Sequence, residues 1–141
     1  MKRTGLILNK SYNDFILGTS ITNYMNMPHR IDCLNDPQLS MDLYAFFQDG
    51  IEYGIWCEDN LIESIRCDES CIYNGQELIN MKYEDFLCLI DDVPDDTDVV
   101  YVPVTADRGQ NQHVYTFDKS GLQVWVWRNR IRTVIIKNFE D

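Results

Sequence analysis

The sequence predicts an α+β domain, antiparallel sheet carrying two short helices, on three observations. Apolar and polar residues alternate over Ile51, Tyr53, Ile55 and Cys57 and again over Leu122, Val124 and Val126, the period-2 pattern of strands. Turn pairs such as Asp49-Gly50 and Asp59-Asn60 fall between the alternating runs, where residues that accept positive φ close hairpins. Only two short segments, after Ser20 and after Lys82, space their apolar residues as helices do.

In chain order, Leu6 to Leu8 and Phe15 to Leu17 read as short extended pieces. A helix follows from about Ser20 to Asn26, with Thr19 or Ser20 as its hydroxyl cap and Pro28 as its stop. His29 to Leu34, Leu43 to Phe47, Ile51 to Cys57 and Leu61 to Cys67 are strands, the last three a meander. Beyond Asn74-Gly75, residues Leu78, Met81, Phe86, Leu87 and Ile90 share one side of a helix over about Tyr83 to Asp91. Val99 to Val104, His113 to Phe117, Leu122 to Trp127 and Ile131 to Lys137 are four more strands, with Asp107 to Gln112 a long loop.

The two halves repeat. Tyr44-x-Phe46 with Gly50-Ile51-Glu52-Tyr53-x-Ile55-Trp56 aligns with Tyr115-x-Phe117 and Gly121-Leu122-Gln123-Val124-x-Val126-Trp127 at one offset. Shortening the next turn by two residues then matches Ile62-Glu63-Ser64-Ile65 to Ile131-Arg132-Thr133-Val134. Each half reads as a helix followed by a three-strand meander, over about 15–73 and 78–137 of a single domain, 1–141. The two units form either one continuous curved sheet or two facing half-sheets. Exposed sheet edges leave the chain a monomer or a weak dimer.

With 23 acidic and 12 basic residues among 141, the net charge is −11. The stretches Ile31 to Ile65 and Tyr83 to Asp107 hold no Lys or Arg. Such a field repels phosphate backbones and attracts cationic partners, which excludes nucleic acid as the expected ligand. The apolar stretches are too short for a membrane span, and the start Met1-Lys2-Arg3 leads into no signal-like apolar segment. The expectation is therefore a cytoplasmic protein with reduced cysteines.

Chemistry finds few partners in this sequence. Asp91-Asp92 and Asp95-Asp96 flank Pro94 as a solvated turn rather than converging carboxylates, and they lack the spacing of a calcium loop. Cys67-x-x-x-Cys71 with Cys57 and a histidine is half of a zinc ligand set. Neither His29 nor His113 sits in a nucleophile signature with a cysteine. No catalytic residue, metal or cofactor is expected. Arg128, Arg130 and Arg132 are expected to pair with the chain's own carboxylates, and Trp56, Trp125 and Trp127 either cover the sheet beneath the helices or anchor a partner. A second role for the aromatics is a small-ligand pocket lined by Tyr53, Trp56, Tyr115 and Trp125.

The run Phe15-x-Leu17-Gly18-Thr19-Ser20-Ile21-x-x-Tyr24, the meander with Asp49-Gly50-Ile51 and Ile62-x-Ser64-Ile65, and the closing Gly121-Leu122-Gln123-Val124-Trp125-Val126 resemble small bacterial immunity proteins. These are the antitoxins of polymorphic and contact-dependent growth-inhibition toxins. The resemblance implies an inhibitor that binds a cognate toxin domain, such as a basic nuclease, and occludes its active site. Partner-binding residues are then expected at Glu58, Asp59, Asp68 and Glu69, at Asp91, Asp92, Asp95, Asp96 and Asp98, and at Trp125 and Trp127.

Overall fold

Alternation in the sequence becomes one large sheet with most of its fully buried aromatic and aliphatic side chains on one face. The computed structural model describes residues 4–39 and 41–138; Met1-Lys2-Arg3 lies outside them. Three two-residue strands come first: β1 (Leu6–Ile7), β2 (Ser11–Tyr12) and β3 (Phe15–Ile16), paired in that order. A 3-10 turn, Ile21–Tyr24, precedes β4 (His29–Cys33), β5 (Asp42–Gln48), β6 (Ile51–Glu58) and β7 (Leu61–Cys67). The small hairpin β8 (Ile72–Tyr73) and β9 (Gln76–Glu77) leads to helix α1 (Tyr83–Ile90). The chain closes with β10 (Asp96–Pro103), β11 (Gly109–Phe117), β12 (Leu122–Trp127) and β13 (Arg130–Lys137).

The main sheet has eight strands in the order β10-β11-β12-β13-β7-β6-β5-β4, every neighbouring pair antiparallel. Two four-strand meanders therefore meet through their last strands. Of the two arrangements open from sequence, the continuous sheet is the one formed. The junction aligns Val134 with Cys67 and Ile136 with Ile65, all buried.

Two sequence expectations change. The first helix is only a four-residue 3-10 turn: Ser20 caps it, accepting the Thr22 N–H at 3.3 Å, but the chain must enter β4 almost at once. Asp107 to Gln112 is no long loop, because β11 begins at Gly109 and pairs to the tip of β10, leaving a short turn closed by Val104 N–H to Arg108 C=O at 2.9 Å.

The hairpin registers also relocate the two-residue difference between the halves. Glu58 pairs with Leu61 across Asp59-Asn60, and Trp127 with Arg130 across Arg128-Asn129. All four turn residues have positive φ, the geometry that matches hairpin twist. Each hairpin then slips by one residue, so that Trp56 lies opposite Ser64 and Trp125 opposite Thr133. Trp56 thus corresponds in position to Trp125, not to Trp127. The extra pair of residues lies one hairpin earlier, where Phe46 pairs with Tyr53 but Phe117 pairs with Leu122.

One face of the sheet is covered by the first small sheet and by helix α1. Phe15 packs on Phe46 and Tyr12 on Tyr53, each at 5.3 Å between ring centroids. Helix α1 covers the other half: Phe86 meets Phe117 edge-on at 5.6 Å, and Tyr83 stacks on Tyr115 at 4.2 Å. Acidic Glu84 and Asp85 sit in the first turn of α1, where the helix dipole favours them. The Glu84 carboxyl is held below its ordinary value chiefly by a hydrogen bond from Asn129, tying α1 to the β12–β13 turn.

Phe86 is fully buried between the helix and β11. Phe86→Ala should lower unfolding free energy by about 3–5 kcal/mol, measured by urea titration, because it removes a large side chain from a site the short helix cannot close.

Candidate functional site: the open face of the sheet

The same alternation that buries one face leaves the other without a second layer. No helix or strand among the described residues packs against it. Between buried Leu122, Val124 and Val126, strand β12 turns Gln123, Trp125 and Trp127 to this open face; between Tyr53, Ile55 and Cys57, strand β6 turns out Gly54 and Trp56. The tryptophans therefore do not cover the sheet beneath the helices. Leu43, Phe47 and Ile135 share their face by register.

Rows of side chains cross this face. One runs from Asp98 through Val114, Trp125 and Thr133 to Asp68, bringing together three residues expected from sequence to bind a partner. Thr133 Oγ1 donates to Asp68 Oδ1 at 2.6 Å, and Arg66 Nε donates to both Asp68 oxygens at 3.0 and 3.2 Å. Trp125 Nε1 donates to Gln123 Oε1 at 3.0 Å, which fixes the indole on the sheet. Ser64, Thr133 and Ala45 are buried without a covering element, because the larger side chains beside them close over the backbone.

Trp127 carries two guanidinium groups, Arg128 at 4.4 Å and Arg132 at 5.1 Å from its ring. Arg130 donates instead to the Asn80 carbonyl at 3.1 Å. Contrary to expectation, none of the three makes an ion pair with a carboxylate among the described residues. Their stacking follows from the turn: Arg128 lies in the left-handed region at φ 51°, and Arg132 is the residue skipped by the slip in pairing, so both flank the same indole.

The expected acidic residues are not one patch. Glu58 and Asp59 sit at one end of β7 and Asp68 and Glu69 at the other, roughly 20 Å apart along seven residues. Glu58 also lines a cleft of about 560 Å³ with Asn9, Gly18, Glu63 and Lys137, away from the tryptophans. Asp91, Asp92, Asp95, Asp96 and Asp98 cluster at the β10 end. Several are engaged internally: the Ser120 hydroxyl donates to Asp92 at 2.6 Å, Asp118 N–H to Asp95 at 2.7 Å, and Glu52 N–H to Glu69 at 3.0 Å. Asp91 ends α1 in the left-handed conformation at φ 51°.

No protein-family model matches the chain, and no characterised protein or solved structure does either. Geometry alone must then sort the remaining candidates. The pocket expected from Tyr53, Trp56, Tyr115 and Trp125 does not form, since Tyr53 and Tyr115 lie on the covered face and Trp56 and Trp125 on the open one. Gln123 shares the face of Trp125 and Trp127, as its alternation with Leu122 and Val124 predicts; Arg66, Ile135 and Thr133 also belong to the open face, and the alternation about Ile65 and Val134 is the signal that places them.

The cysteines are scattered. Cys57, Cys67 and Cys71 are buried, Cys33 is half-buried beside Asp36, and Cys88 is exposed on α1. Burial pushes the Cys57 thiol up to about 12 and holds Cys67, in contact with Cys71, well above the usual thiol range. His29 Nδ1 donates to the Met27 carbonyl at 2.8 Å on the β4 side, while His113 lies on β11 at the far end of the sheet. No group of three His, Cys, Asp or Glu among the described residues is placed to hold a metal.

Since the thiolate is the reactive form, iodoacetamide should modify Cys88 first in the native protein and spare Cys57, Cys67 and Cys71. Peptide mapping by mass spectrometry checks the order of modification.

Proposed function

We propose that this chain is a stoichiometric inhibitor, an immunity protein acting in the cytoplasm, which binds a cognate basic toxin domain such as a nuclease and occludes its active site. The observation that carries this reading is the open sheet face with Trp56, Trp125 and Trp127, flanked by Arg66 and Arg132. Tryptophan and arginine are the residues on which interface energy concentrates. An eight-stranded sheet with one face unlayered offers a broad, rigid surface suited to a macromolecule. Acidic groups at the β10 end and at both ends of β7 lie at its margins, where charge steers a cationic partner and adds mainly to association rate. No helix among the described residues is long and apolar enough to cross a membrane.

We also infer that the chain arose by duplication of a unit spanning about 15–73 and 78–137. Its support is the order of the two meanders about the β13–β7 junction, the matching two-residue turns, and the shared slip after them. The duplicated unit gives Trp56 and Trp125 their equivalent places on the open face.

Co-expression with the product of the neighbouring reading frame, followed by affinity purification and calorimetry, tests the inhibitor. A one-to-one complex is expected, weakening roughly tenfold or more between about 0.05 and 0.3 M salt. Trp125→Ala and Trp127→Ala should each weaken it about 30-fold, the size of a central anchor. The triple change Asp95→Asn, Asp96→Asn, Asp98→Asn should slow association about tenfold with little effect on dissociation. A chain that stays monomeric beside that product, and leaves its activity untouched, would sink the proposal.

A further inference from the structure

Strand β10 is one of the two outer strands of the sheet: no other strand among the described residues pairs with its outer side, where the Val99 N–H donates only to the side chain beside it, Asp98 Oδ1, at 2.8 Å. The bond from Val104 N–H to Arg108 C=O fixes the phase of the β10–β11 ladder. Stepping along the antiparallel register in twos, Asp98, Val100 and Val102 bond to β11, and Thr97, Val99 and Tyr101 direct their N–H and C=O groups outward. Pro103 falls in the outward series, so its missing N–H costs the ladder nothing. Val99 and Tyr101 are 55% and 58% exposed. The Tyr101 ring lies against Gly109 across the hairpin, where any Cβ would collide with it.

The opposite outer strand is shorter and irregular by contrast. Pairing of β4 slips between Ile31 and Cys33, and Arg30 is neutralised by Asp32 at 2.6 Å and Glu52 at 3.4 Å. Beside β10, the only charges from Tyr83 to Asp107 are acidic, with Asp91, Asp92, Asp95, Asp96 and Asp98 gathered at one end of the strand. A second copy would bring the same acids and its own −11 to this edge. A cationic strand would be drawn to it.

We propose that β10 accepts an added antiparallel strand from a basic protein partner, extending the sheet by main-chain hydrogen bonds. The strand it fits is basic opposite Asp96 and Asp98, on the tryptophan face, and apolar opposite Val99 and Tyr101, on the helix face. This rests on the reading of the chain as the binder of a basic protein and names the edge where that partner would engage.

A nine-residue peptide alternating lysine and valine is the probe, titrated into isotope-labelled protein and followed by NMR. The amide signals of Thr97, Val99 and Tyr101 should shift, and their hydrogen exchange should slow about tenfold or more. A glutamate-for-lysine peptide, and a lysine peptide N-methylated at its central residues, should each bind at least about tenfold more weakly. Val99→Pro should abolish binding with little change in the unfolding midpoint, since the N–H it removes points away from β11. Shifts that appear on the Trp125 and Trp127 face instead, or an N-methylated peptide that binds as well, would overturn the proposal. If the neighbouring gene's product binds Val99→Pro as tightly as the native chain, the edge reading fails and the inhibitor stands. Protection of β10 by the peptide with no complex from that product leaves the edge standing and removes the inhibitor.

Discussion

An eight-stranded sheet has two faces, and the described residues cover only one of them. The large apolar side chains follow that constraint. Phe46, Tyr53, Phe117 and Leu122 lie under Phe15, Tyr12 and α1, where burial of an aromatic or aliphatic side chain contributes roughly 1.5–3 kcal/mol. The alternate positions must then tolerate water on one side. They do so with amphipathic groups: an indole bonded to Gln123, a threonine bonded to Asp68, and arginine stems laid along the sheet. The open face is thus as specified as the core, though by polar bonds rather than by packing.

Strand positions were legible in the sequence because period-2 alternation is a local signal. Leu61 to Cys67 was bounded correctly, as were the Asp49-Gly50 and Asp59-Asn60 turns. The order of the strands was not legible. The pairing of Val134 with Cys67 depends on which edge of each meander is better buried, and no local pattern carries that. The first helix was over-read for the opposite reason. Ile21, Tyr24 and Met25 have helical spacing, but a 3-10 turn satisfies the same three positions in fewer residues.

The candidate site was half legible. Trp125 and Trp127 stood out by type and alternation, and Asp98 and Asp68 prove to share a row with Trp125. What sequence could not supply was the division of labour among the charges. In so acidic a chain an exposed arginine is expected to find a carboxylate, yet Arg128 and Arg132 lie over Trp127, on which the turn and the slip in pairing converge them. A guanidinium held flat on an indole keeps its N–H groups free for a second partner.

The junction of β13 with β7 is the one place in the main sheet where residues far apart in sequence must pair. Every other neighbouring pair in that sheet is a hairpin or short connection that closes within its own meander. Among the strand pairings of the main sheet, the largest loop-closure cost therefore falls on one step, the docking of the two halves. Until that step occurs, the far halves of β7 and β13 are each an unpaired edge, with Ile65 on one and Val134 and Ile136 on the other, whereas Ile62 is already bonded to Gly18 and Thr19 and Ile131 to Asn80 and Met81. The folding half-reaction most exposed to aggregation is thus the same one that makes the molecule whole.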